Sequence, residues 1–354
     1  MASEAKIDII RSTVDLPNEW DNYVDSHLHG SFFQCRLWLG IISDVYGFKC
    51  HALIAREGAA VVGILPAMVV RSRLTGTRMV SAPFSYVCGP LADSSSVEAL
   101  LLESAQTATQ ELGLGYLEVK SDRSLSLPDE PFVVHDGFKT YRLNLKSSEE
   151  ELWRGLHKSM IQRGVNKAKR EGVTVEVSDR SDESDLFDYL NRVTCRKHGI
   201  PAQPRKFFDR VWSQLVSEGK ADCLVASHEG RKIAAVIVFY DKDKAIYMYG
   251  GSLPDSLSTR PNHLLLWNAV LKAKARGCTE FDFGRVSADN SSLAEFKRRW
   301  GADEVPLMYY YWPEKRGVGS TDRKSLKVKT STFLFSKMPP SLTRRMSWLY
   351  RHLA

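Results

Sequence analysis

The sequence predicts an α+β protein made of two related domains and a basic C-terminal tail. Three observations support this prediction: an apolar hairpin pattern occurs twice, each copy precedes a helical stretch and a short strand, and positive charge is concentrated after residue 314. The chain has 354 residues, of which 43% are hydrophobic and 26% charged, so it can bury two cores without disulfides or metal. This composition excludes a disordered chain, a coiled coil and a collagen-like repeat.

The repeated pattern consists of two apolar runs joined by a Glu-Gly turn. The first copy, at 50–70, is CHALIAREGAAVVGILPAMVV, and the second, at 223–240, is CLVASHEGRKIAAVIVFY. Two apolar runs that flank a short glycine-containing turn are typical of an antiparallel hairpin. The two turns, Glu57-Gly58 and Glu229-Gly230, lie 172 residues apart, which predicts a duplicated domain.

The segments after each hairpin also correspond. Each copy has a stretch with helical spacing of apolar residues, then a glycine that fits a helix C-terminal cap, then a strand. In the first copy these are 97–112, Gly113 and 116–120, and in the second they are 263–276, Gly277 and 280–284.

We therefore expect a first domain at 1–146, a second at 147–313, and a basic linker with an amphipathic helix at 314–354. The second domain should begin with a helix that Ser147 or Ser148 caps. The tail helix, which follows Pro340, would place its apolar residues on one face, and Arg344, Arg345 and Arg351 lie off that face. Such a helix lies on a membrane or docks onto the protein body.

The net charge of +7 comes from the tail, because 315–354 hold ten Lys or Arg and one acid, whereas 1–314 hold 39 bases and 41 acids. A basic tail suggests nucleic acid or acidic lipid headgroups as partner, or it is a solvated segment without a ligand. Deleting the tail should weaken binding to either anionic surface if it has such a partner.

The sequence lacks the motifs of several nucleotide-binding, metal-dependent and hydrolytic enzyme classes. There is no Walker loop, no GxGxxG, no HExxH and no GxSxG, and the six cysteines form no CxxC pair, so we expect no metal and no tightly bound cofactor. The cysteines are expected to be free thiols of a cytoplasmic protein. The N-terminus lacks the apolar core of a secretory signal, and no apolar run reaches the length of a bilayer span.

Candidate binding residues concentrate in the second domain. The stretch 152–170 holds six bases and no acid, and Arg163, Lys167 and Arg170 fall on one side of a helix, either facing phosphates or solvated. In KAIYMYGGS (244–252), Tyr247 and Tyr249 are expected to share one face of a strand, as ligand contacts or as core aromatics.

Acidic and basic residues also surround the next strand. Asp282 lies in the apolar strand that ends at Gly284-Arg285, where it either pairs with a base in the core or acts as a cleft carboxylate. A short helix follows and carries Lys297, which either acts in the site or has a structural role.

Segments in both halves resemble the FemAB-type proteins of the GNAT-like acyltransferase superfamily. The resemblance is greatest to the bacterial FemAB-related type associated with exosortase and exopolysaccharide systems, and it spans 20–353. The N-terminal segments are Trp38 with Tyr46-Gly47, AREGAAVVGILPAMVV and SAPFSYVCGP. The C-terminal segments are HGIPAQPRKFF, YMYGGS, PNHLLLWNAV, FDFGR, FKRRWGA and YYYW.

The resemblance implies two tandem GNAT-like domains with mixed sheets, and transfer of an acyl or aminoacyl group to an amine of a cell-envelope or exopolysaccharide precursor. Matched to the family's motifs, Lys297 lies at the active centre, and Arg205 and Tyr249 bind the phosphates of the acceptor. Asp282 is a candidate for orienting the amine, and Tyr247, Arg285 and Arg163 are further candidates for substrate binding. The family's peptidoglycan-building members take their donor from aminoacyl-tRNA.

The donor itself is left open by the sequence. Acetyl-CoA enzymes carry a glycine-rich loop whose amides hold the pyrophosphate, and the corresponding SLPDSLSTRPNH at 252–263 has no glycine. This departure favours aminoacyl-tRNA or an unusual acyl thioester over simple acetyl-CoA binding. Amide formation from either activated ester needs a neutral amine and stabilisation of the oxyanion, and it needs no protein nucleophile.

Two alternatives from other classes remain. The chain could be a non-catalytic duplicated-GNAT scaffold that binds an envelope precursor or a partner at the membrane face. It could also be an RNA-binding module that uses the 152–170 helix and the tail. Turnover of an acyl donor separates the enzyme from both.

Overall fold

The protein is described here by a computed structural model that covers residues 6–13, 16–72, 76–178, 183–313 and 346–353. The chain forms two compact units. The first comprises the described residues of 1–138, 306–321 and 351–354, and the second those of 139–305 and 322–350. Each unit combines helices with β-sheet, which confirms the predicted α+β class.

The described strands, in chain order, are β1 (Ile7–Ser12), β2 (Lys49–Cys50), β3 (Ala52–Glu57), β4 (Ala60–Leu65), β5 (Met68–Ser72), β6 (Gly76–Val80), β7 (Leu91–Ala92), β8 (Leu117–Ser121), β9 (Val133–Asn144), β10 (Thr174–Ser178), β11 (Ala221–His228), β12 (Arg231–Asp241), β13 (Lys244–Ser252), β14 (Glu280–Asp282), β15 (Val286–Ser287) and β16 (Asp303–Trp312).

The described α-helices are α1 (Asn18–Ser26), α2 (Arg36–Tyr46), α3 (Ser95–Glu111), α4 (Glu149–Gly155), α5 (Arg163–Arg170), α6 (Glu183–His198), α7 (Arg205–Val211), α8 (Pro261–Ala275) and α9 (Ser291–Arg298). Short 3-10 helices span Phe32–Gln34, Pro254–Thr259 and Ser347–Leu353, and π-helical turns span Lys158–Gln162 and Trp212–Val216. In the part of the chain that the structure describes, no helix has the length and apolar character needed to cross a membrane.

Both predicted hairpins are present. Strands β3 and β4 pair antiparallel, as do β11 and β12, and the second turn places Glu229 at φ 50 and Gly230 at φ 74. Two positive φ values are what a tight hairpin turn requires. The apolar run through residue 70 is not one strand, because Pro66, which has no N–H to donate, separates β4 from β5, and β5 pairs with β6 instead.

The first unit contains two sheets, with strand orders β1–β3–β4–β7 and β16–β8–β6–β5–β2. Only the part of β16 from residue 306 onward belongs to this unit. The apolar face of α3, which includes Leu101 and Leu102, packs into one cluster with Leu53, Leu117 and Tyr310. The helix begins at Ser94, whose side chain accepts from the Val97 N–H, and Gly113 follows its end at φ 61. The predicted helix and its glycine cap are thus confirmed.

The second unit has the strand order β10–β11–β12–β13–β14–β9, in which β13 and β14 are parallel and the other neighbours antiparallel. The predicted cap on its first helix is confirmed, because Ser148 and Glu151 form a capping box at the start of α4. After a π-helical turn, α5 packs against α8, where Gly164 lies against the ring of His263.

Helix α6 packs so closely on β13 that Gly251 admits no side chain. A Cβ at Gly251 would lie 2.7 Å from the backbone carbon of Leu190 and 2.9 Å from its oxygen. We therefore expect Gly251→Ala to lower the free energy of unfolding by about 1–3 kcal/mol, because α6 or β13 must shift to make room for the methyl group. Gly155→Ala is the matched control, since nothing lies within 4 Å of a Cβ there. Urea denaturation in which both variants equal wild type would contradict this packing.

Part of the predicted tail helix can be described. Residues 347–353 form a 3-10 helix in which His352 Nδ1 lies 2.8 Å from Ser72 Oγ and the Arg351 guanidinium lies 5.8 Å from the centroid of the Phe48 ring. These contacts correspond to the docking alternative for the chain end. Arg344, Arg345 and the linker from residue 314 lie outside the described residues.

Candidate active site

The candidate site is a turn at residues 283–285, where the chain leaves β14. Strands β13 and β14 pair over only three residues, Lys244–Ile246 with Glu280–Asp282. The chain then turns at Gly284, whose φ is 76°, and a Cβ there would lie 3.1 Å from the Tyr247 carbonyl oxygen. Only glycine suits a left-handed conformation so close to another backbone. Beyond Ile246, β13 has no further pairing with β14.

Asp282 holds this turn from the strand side. Its carboxylate, in a residue only 4% exposed, accepts from the Gly284 N–H at 2.7 Å, from Arg142 Nε at 3.2 Å and from the Thr140 hydroxyl. The pairing of Asp282 with a base, one of the two predicted alternatives, is therefore observed. Thr140 and Arg142 lie on β9, opposite β14, and no sequence pattern singled them out.

Lys297 holds the same turn from the helix side. Its ammonium group donates to the carbonyl oxygens of Phe283 at 2.5 Å and Gly284 at 2.7 Å, and it lies 3.5 Å from that of Arg285. Asn290 caps the start of α9 and Gly301, at φ 77, follows its end, so Lys297 occupies the last turn and points inward. The sequence also allowed a structural role for Lys297, and these bonds provide one.

The pKa of Lys297 is lowered to about 8, mainly by burial; the Asp282 carboxylate opposes this shift, and the charge of Arg285 contributes to it. Only 5% of the residue is exposed. The two residues predicted to be catalytic, Lys297 and Asp282, thus meet at one turn and fix its amide and carbonyl groups. The third donor of the ammonium group has only the long contact to Arg285, so an oxygen that enters the site can accept it.

Tyr247 and Tyr249 do not share a face, contrary to the prediction. A β-bulge leaves Met248 unpaired, so Tyr247 lies opposite Val238 and Tyr249 opposite Ile237. Since Ile237 and Val238 are neighbours on β12, their partners point to opposite sides of the sheet. The Tyr247 hydroxyl accordingly lies against Gly250, whereas the Tyr249 ring packs on the rings of Phe207 and Phe208, with centroids 5.5 and 5.9 Å away.

Tyr249 is connected to Arg205 through helix α7. Arg205 begins this helix and forms ion pairs with Asp185 and Asp209, and the two phenylalanines against Tyr249 belong to the same helix. The Tyr249 hydroxyl accepts from Gln203 Nε2 at 3.3 Å, and burial raises the pKa of Tyr249 well above its usual value. Gln203, 2% exposed, was not identified from the sequence, where it is one polar residue among several in HGIPAQPRKFF.

The remaining predicted residues lie on the surface. Arg285 is exposed at the turn itself, next to the carbonyl that Lys297 approaches. Arg163 is exposed on α5 and makes none of the contacts described for the turn. Among the described residues, no group of three His, Cys, Asp or Glu is placed to hold a metal ion.

A cavity of about 450 Å³ borders α9 and was not predicted. Its polar lining includes Tyr141, Arg298 and Glu304; the Glu304 carboxylate accepts from the Tyr141 hydroxyl at 2.9 Å, from Arg298 at 3.0 Å and from Lys139. The Lys139 hydrogen bond is the main reason that the pKa of Glu304 is lowered to about 2, and burial raises the pKa of Tyr141 to about 12. The cavity thus presents a carboxylate and two cations that satisfy one another.

The segment that would hold a coenzyme A pyrophosphate is closed on itself. Residues 254–259 form a 3-10 helix, and α8 begins with Pro261, which has no N–H. The amides of Ser256, Arg260 and His263 donate to backbone carbonyls of the same segment, at 3.2, 3.1 and 3.1 Å. These amides are therefore not available to an anion.

Comparison with known proteins gives the class of the fold. Residues 156–298 match the family model described as an acetyltransferase (GNAT) domain, and this range contains β13, the turn at 283–285 and Lys297. The structure is similar to a tandem GNAT protein from the clavulanic acid biosynthesis pathway, with a TM-score of 0.50 and 12% identity over 86% of this chain and 98% of that one. The matched domain and the fold are those of a GNAT-type acyltransferase, and the predicted tandem fold is confirmed.

More specific relatives are of the Fem type. The lipid II:glycine glycyltransferases of Staphylococcus epidermidis and Staphylococcus aureus are each 20% identical, over 79% and 80% of this chain and 87% and 88% of theirs. A crystal structure of FemX has a TM-score of 0.67 at 17% identity, covering 84% of this chain and 96% of that one. The chain is similar to FemAB-like GNAT acyltransferases, as its motifs predicted.

Proposed function

We propose that the chain transfers an aminoacyl or acyl group from an activated ester to an amine of a cell-envelope or exopolysaccharide precursor. The observation that carries this proposal is the turn at 283–285, held by Asp282 and Lys297 where β14 leaves β13. The names of the glycyltransferase relatives support an aminoacyl donor and a precursor as acceptor.

The turn suits amide formation. The neutral amine attacks the ester carbonyl, a C–N bond forms, and the resulting oxyanion collapses as the ester C–O bond breaks and the amine proton passes to the leaving oxygen. The buried charge of Lys297 stabilises the oxyanion, and the donor that makes only the 3.5 Å contact to the Arg285 carbonyl can turn to the oxyanion instead. Asp282 keeps the turn in place, and the unpaired edge of β13 beyond Ile246 offers backbone groups to a peptide-like acceptor.

The acceptor would extend from this edge toward α7. Tyr249 and Arg205 are proposed to bind it, as the family resemblance implies, and Arg285 and Tyr247 are proposed as further contacts nearer the turn. A lipid-linked acceptor would bring the protein to the cytoplasmic face of the membrane, where anionic headgroups could attract the basic tail.

The donor is proposed to be an aminoacyl-tRNA. The backbone of 252–263, without glycine and with the amides of Ser256, Arg260 and His263 engaged, argues against the pyrophosphate cradle of acetyl-CoA enzymes. An acyl thioester bound in another manner is the second donor class to test.

The experiment that tests this function supplies both donor classes. The full chain is incubated with envelope precursors and either an aminoacylated tRNA pool or an acyl-CoA pool, and products are identified by mass spectrometry. We expect an amide product whose mass matches precursor plus amino acid, from the tRNA pool. Product from acyl-CoA alone would overturn the donor assignment. No product from either would favour the non-catalytic scaffold.

Acceptor binding through Tyr249 can be tested with a substitution that removes only the hydroxyl. Tyr249→Phe should raise KM for the acceptor up to about 10-fold with kcat nearly unchanged, because one hydrogen bond contributes about 0.5–1.5 kcal/mol. Tyr189→Phe, at an exposed position on α6, is the control and should leave both constants unchanged. Equal KM values in the two variants would remove Tyr249 from the acceptor site.

A further inference from the structure

The exposed face of α5 and of the π-helical turn before it forms a basic groove outside the candidate active site. The groove has a volume of about 570 Å³ and is lined by Lys158, Gln162, Arg163, Asn166, Lys169 and Arg170. The opposite face of the same helical segment is buried against the protein through Ile161, Gly164, Val165 and Ala168. The cations therefore project into solvent on one side only.

No acidic residue in the described part of the chain pairs with these cations. Within the described residues, none of the four that line the groove forms an ion pair, and none of the lining residues is acidic. Elsewhere in the same unit arginines are regularly paired: Arg142 with Asp282, Arg192 with Asp188 and Arg298 with Glu304. A concave surface with four uncompensated positive charges is suited to an anionic ligand.

The shape indicates a polyanion with regularly spaced charges. At a rise of about 1.5 Å per residue, the charges from Lys158 to Arg170 extend over roughly 18 Å, which is longer than a single phosphate group requires. Arginine and lysine side chains bind phosphate oxygens, and the Asn166 amide can donate to and accept from sugar hydroxyls.

The chemistry of the lining favours RNA over a membrane surface. A helix that binds a bilayer inserts an apolar face, whereas all six residues of this groove are polar and the apolar face of α5 is buried. Met160, which is exposed on this segment, does not line the groove. A concave groove can also accommodate the backbone of an RNA strand, whereas a bilayer presents a flat surface that cannot enter the groove.

We propose that the α5 groove binds the sugar-phosphate backbone of RNA without reading base sequence. The inference rests on the proposed function in one respect. If the donor is an aminoacyl-tRNA, its RNA would bind this groove while its aminoacyl end reaches the turn at 283–285. Four cationic contacts give affinity that falls steeply with salt, by about 10²-fold between 50 and 200 mM.

The test measures binding of the full chain to a short uncharged RNA hairpin, with no acyl transfer involved. The triple variant Arg163→Gln, Lys169→Gln, Arg170→Gln should bind at least about 10-fold more weakly at low salt and reduce the slope of log K against log salt by about 2–3. The matched control, Lys220→Gln, Arg231→Gln, Lys244→Gln, removes three exposed cations of the same unit and should keep most of the slope. Circular dichroism of both variants checks that the fold is retained.

The outcomes separate this inference from the proposed function. Equal RNA affinity and slope in the two triple variants, or no RNA binding by wild type, would overturn the groove assignment. Loss of binding to phosphatidylglycerol vesicles in the groove variant, with RNA binding unchanged, would overturn it in favour of a membrane surface. Acyl transfer from a thioester alone would refute the tRNA donor. The RNA-binding assay involves no acyl transfer, so its result would still decide whether the groove binds RNA.

Discussion

We expect Lys297→Met to lower the rate of acyl transfer by about 10²–10³-fold in a chain that still folds, by analogy with the loss of an oxyanion donor. Methionine keeps the buried stem and removes the ammonium group, so the charge and the third donor are lost. The carbonyls of Phe283 and Gly284 lose their partner as well, which costs about 1–3 kcal/mol of stability. The measurement is single-turnover transfer at a temperature where both proteins are folded, together with a melting curve.

Lys120→Met is the matched control for this prediction. Lys120 is also a buried lysine, 4% exposed, and it donates to the carbonyls of Ala82 and Ser85 at 3.2 Å each. Its replacement should reduce stability by at least as much, because it also removes the cation 3.5 Å from the Glu118 carboxylate, and should leave the rate of transfer by folded protein unchanged. If both variants lose stability and both retain the wild-type rate of transfer, Lys297 has only a structural role at the turn of 283–285 and does not stabilise the oxyanion. Lys297→Arg should restore transfer only in part, since a planar guanidinium does not fit the place of a compact ammonium.

Asp282→Ala is expected to lower the free energy of unfolding by about 3–5 kcal/mol, the cost of breaking a buried ion pair by removing one partner. The substitution removes the acceptor of the Thr140 hydroxyl and of the Gly284 N–H. It also removes one of the two carboxylates beside Arg142 Nε, which keeps Glu280 at 3.6 Å. Denaturant titration measures the loss. Asp255→Ala is the control, because that carboxylate pairs with Arg231 on the surface and its removal should not change stability measurably.

A second substitution at the same position separates stability from chemistry. Asp282→Asn keeps an oxygen that can accept from Gly284 and should recover much of the lost stability. If the carboxylate orients the incoming amine through its charge, the asparagine variant stays folded and transfers slowly. A folded asparagine variant with wild-type transfer would leave Asp282 as a residue that only fixes the turn.

Local sequence patterns predicted much of the fold. The two hairpins, the capping box at Ser148 and the glycine after α3 depend on short-range chemistry, and all three are observed. The motif FDFGR likewise predicted the strand end at which Asp282 and Lys297 meet. The break at Pro66 was missed because the apolar run continues on both sides of it.

The parts that could not be predicted depend on the register of strands and on distant partners. The bulge at Met248 moves Tyr247 and Tyr249 to opposite faces, and nothing in YMYGGS marks where a strand gains an extra residue. Arg142, the partner of Asp282, lies 140 positions earlier in the chain. The Glu304 carboxylate and Tyr141 meet in the same way across 163 positions.

The central claim is that the charged ammonium group of Lys297 promotes transfer at the turn of 283–285. Its pKa is lowered to about 8, so the cation is present below that pH and is lost as pH rises through it. An arginine at this position stays charged throughout. The measurement is therefore the ratio of the wild-type rate to the Lys297→Arg rate across pH, which cancels the titration of the acceptor amine. We predict a nearly constant ratio below about pH 7 and a fall approaching tenfold per pH unit well above pH 8. A ratio that does not change with pH would contradict the claim.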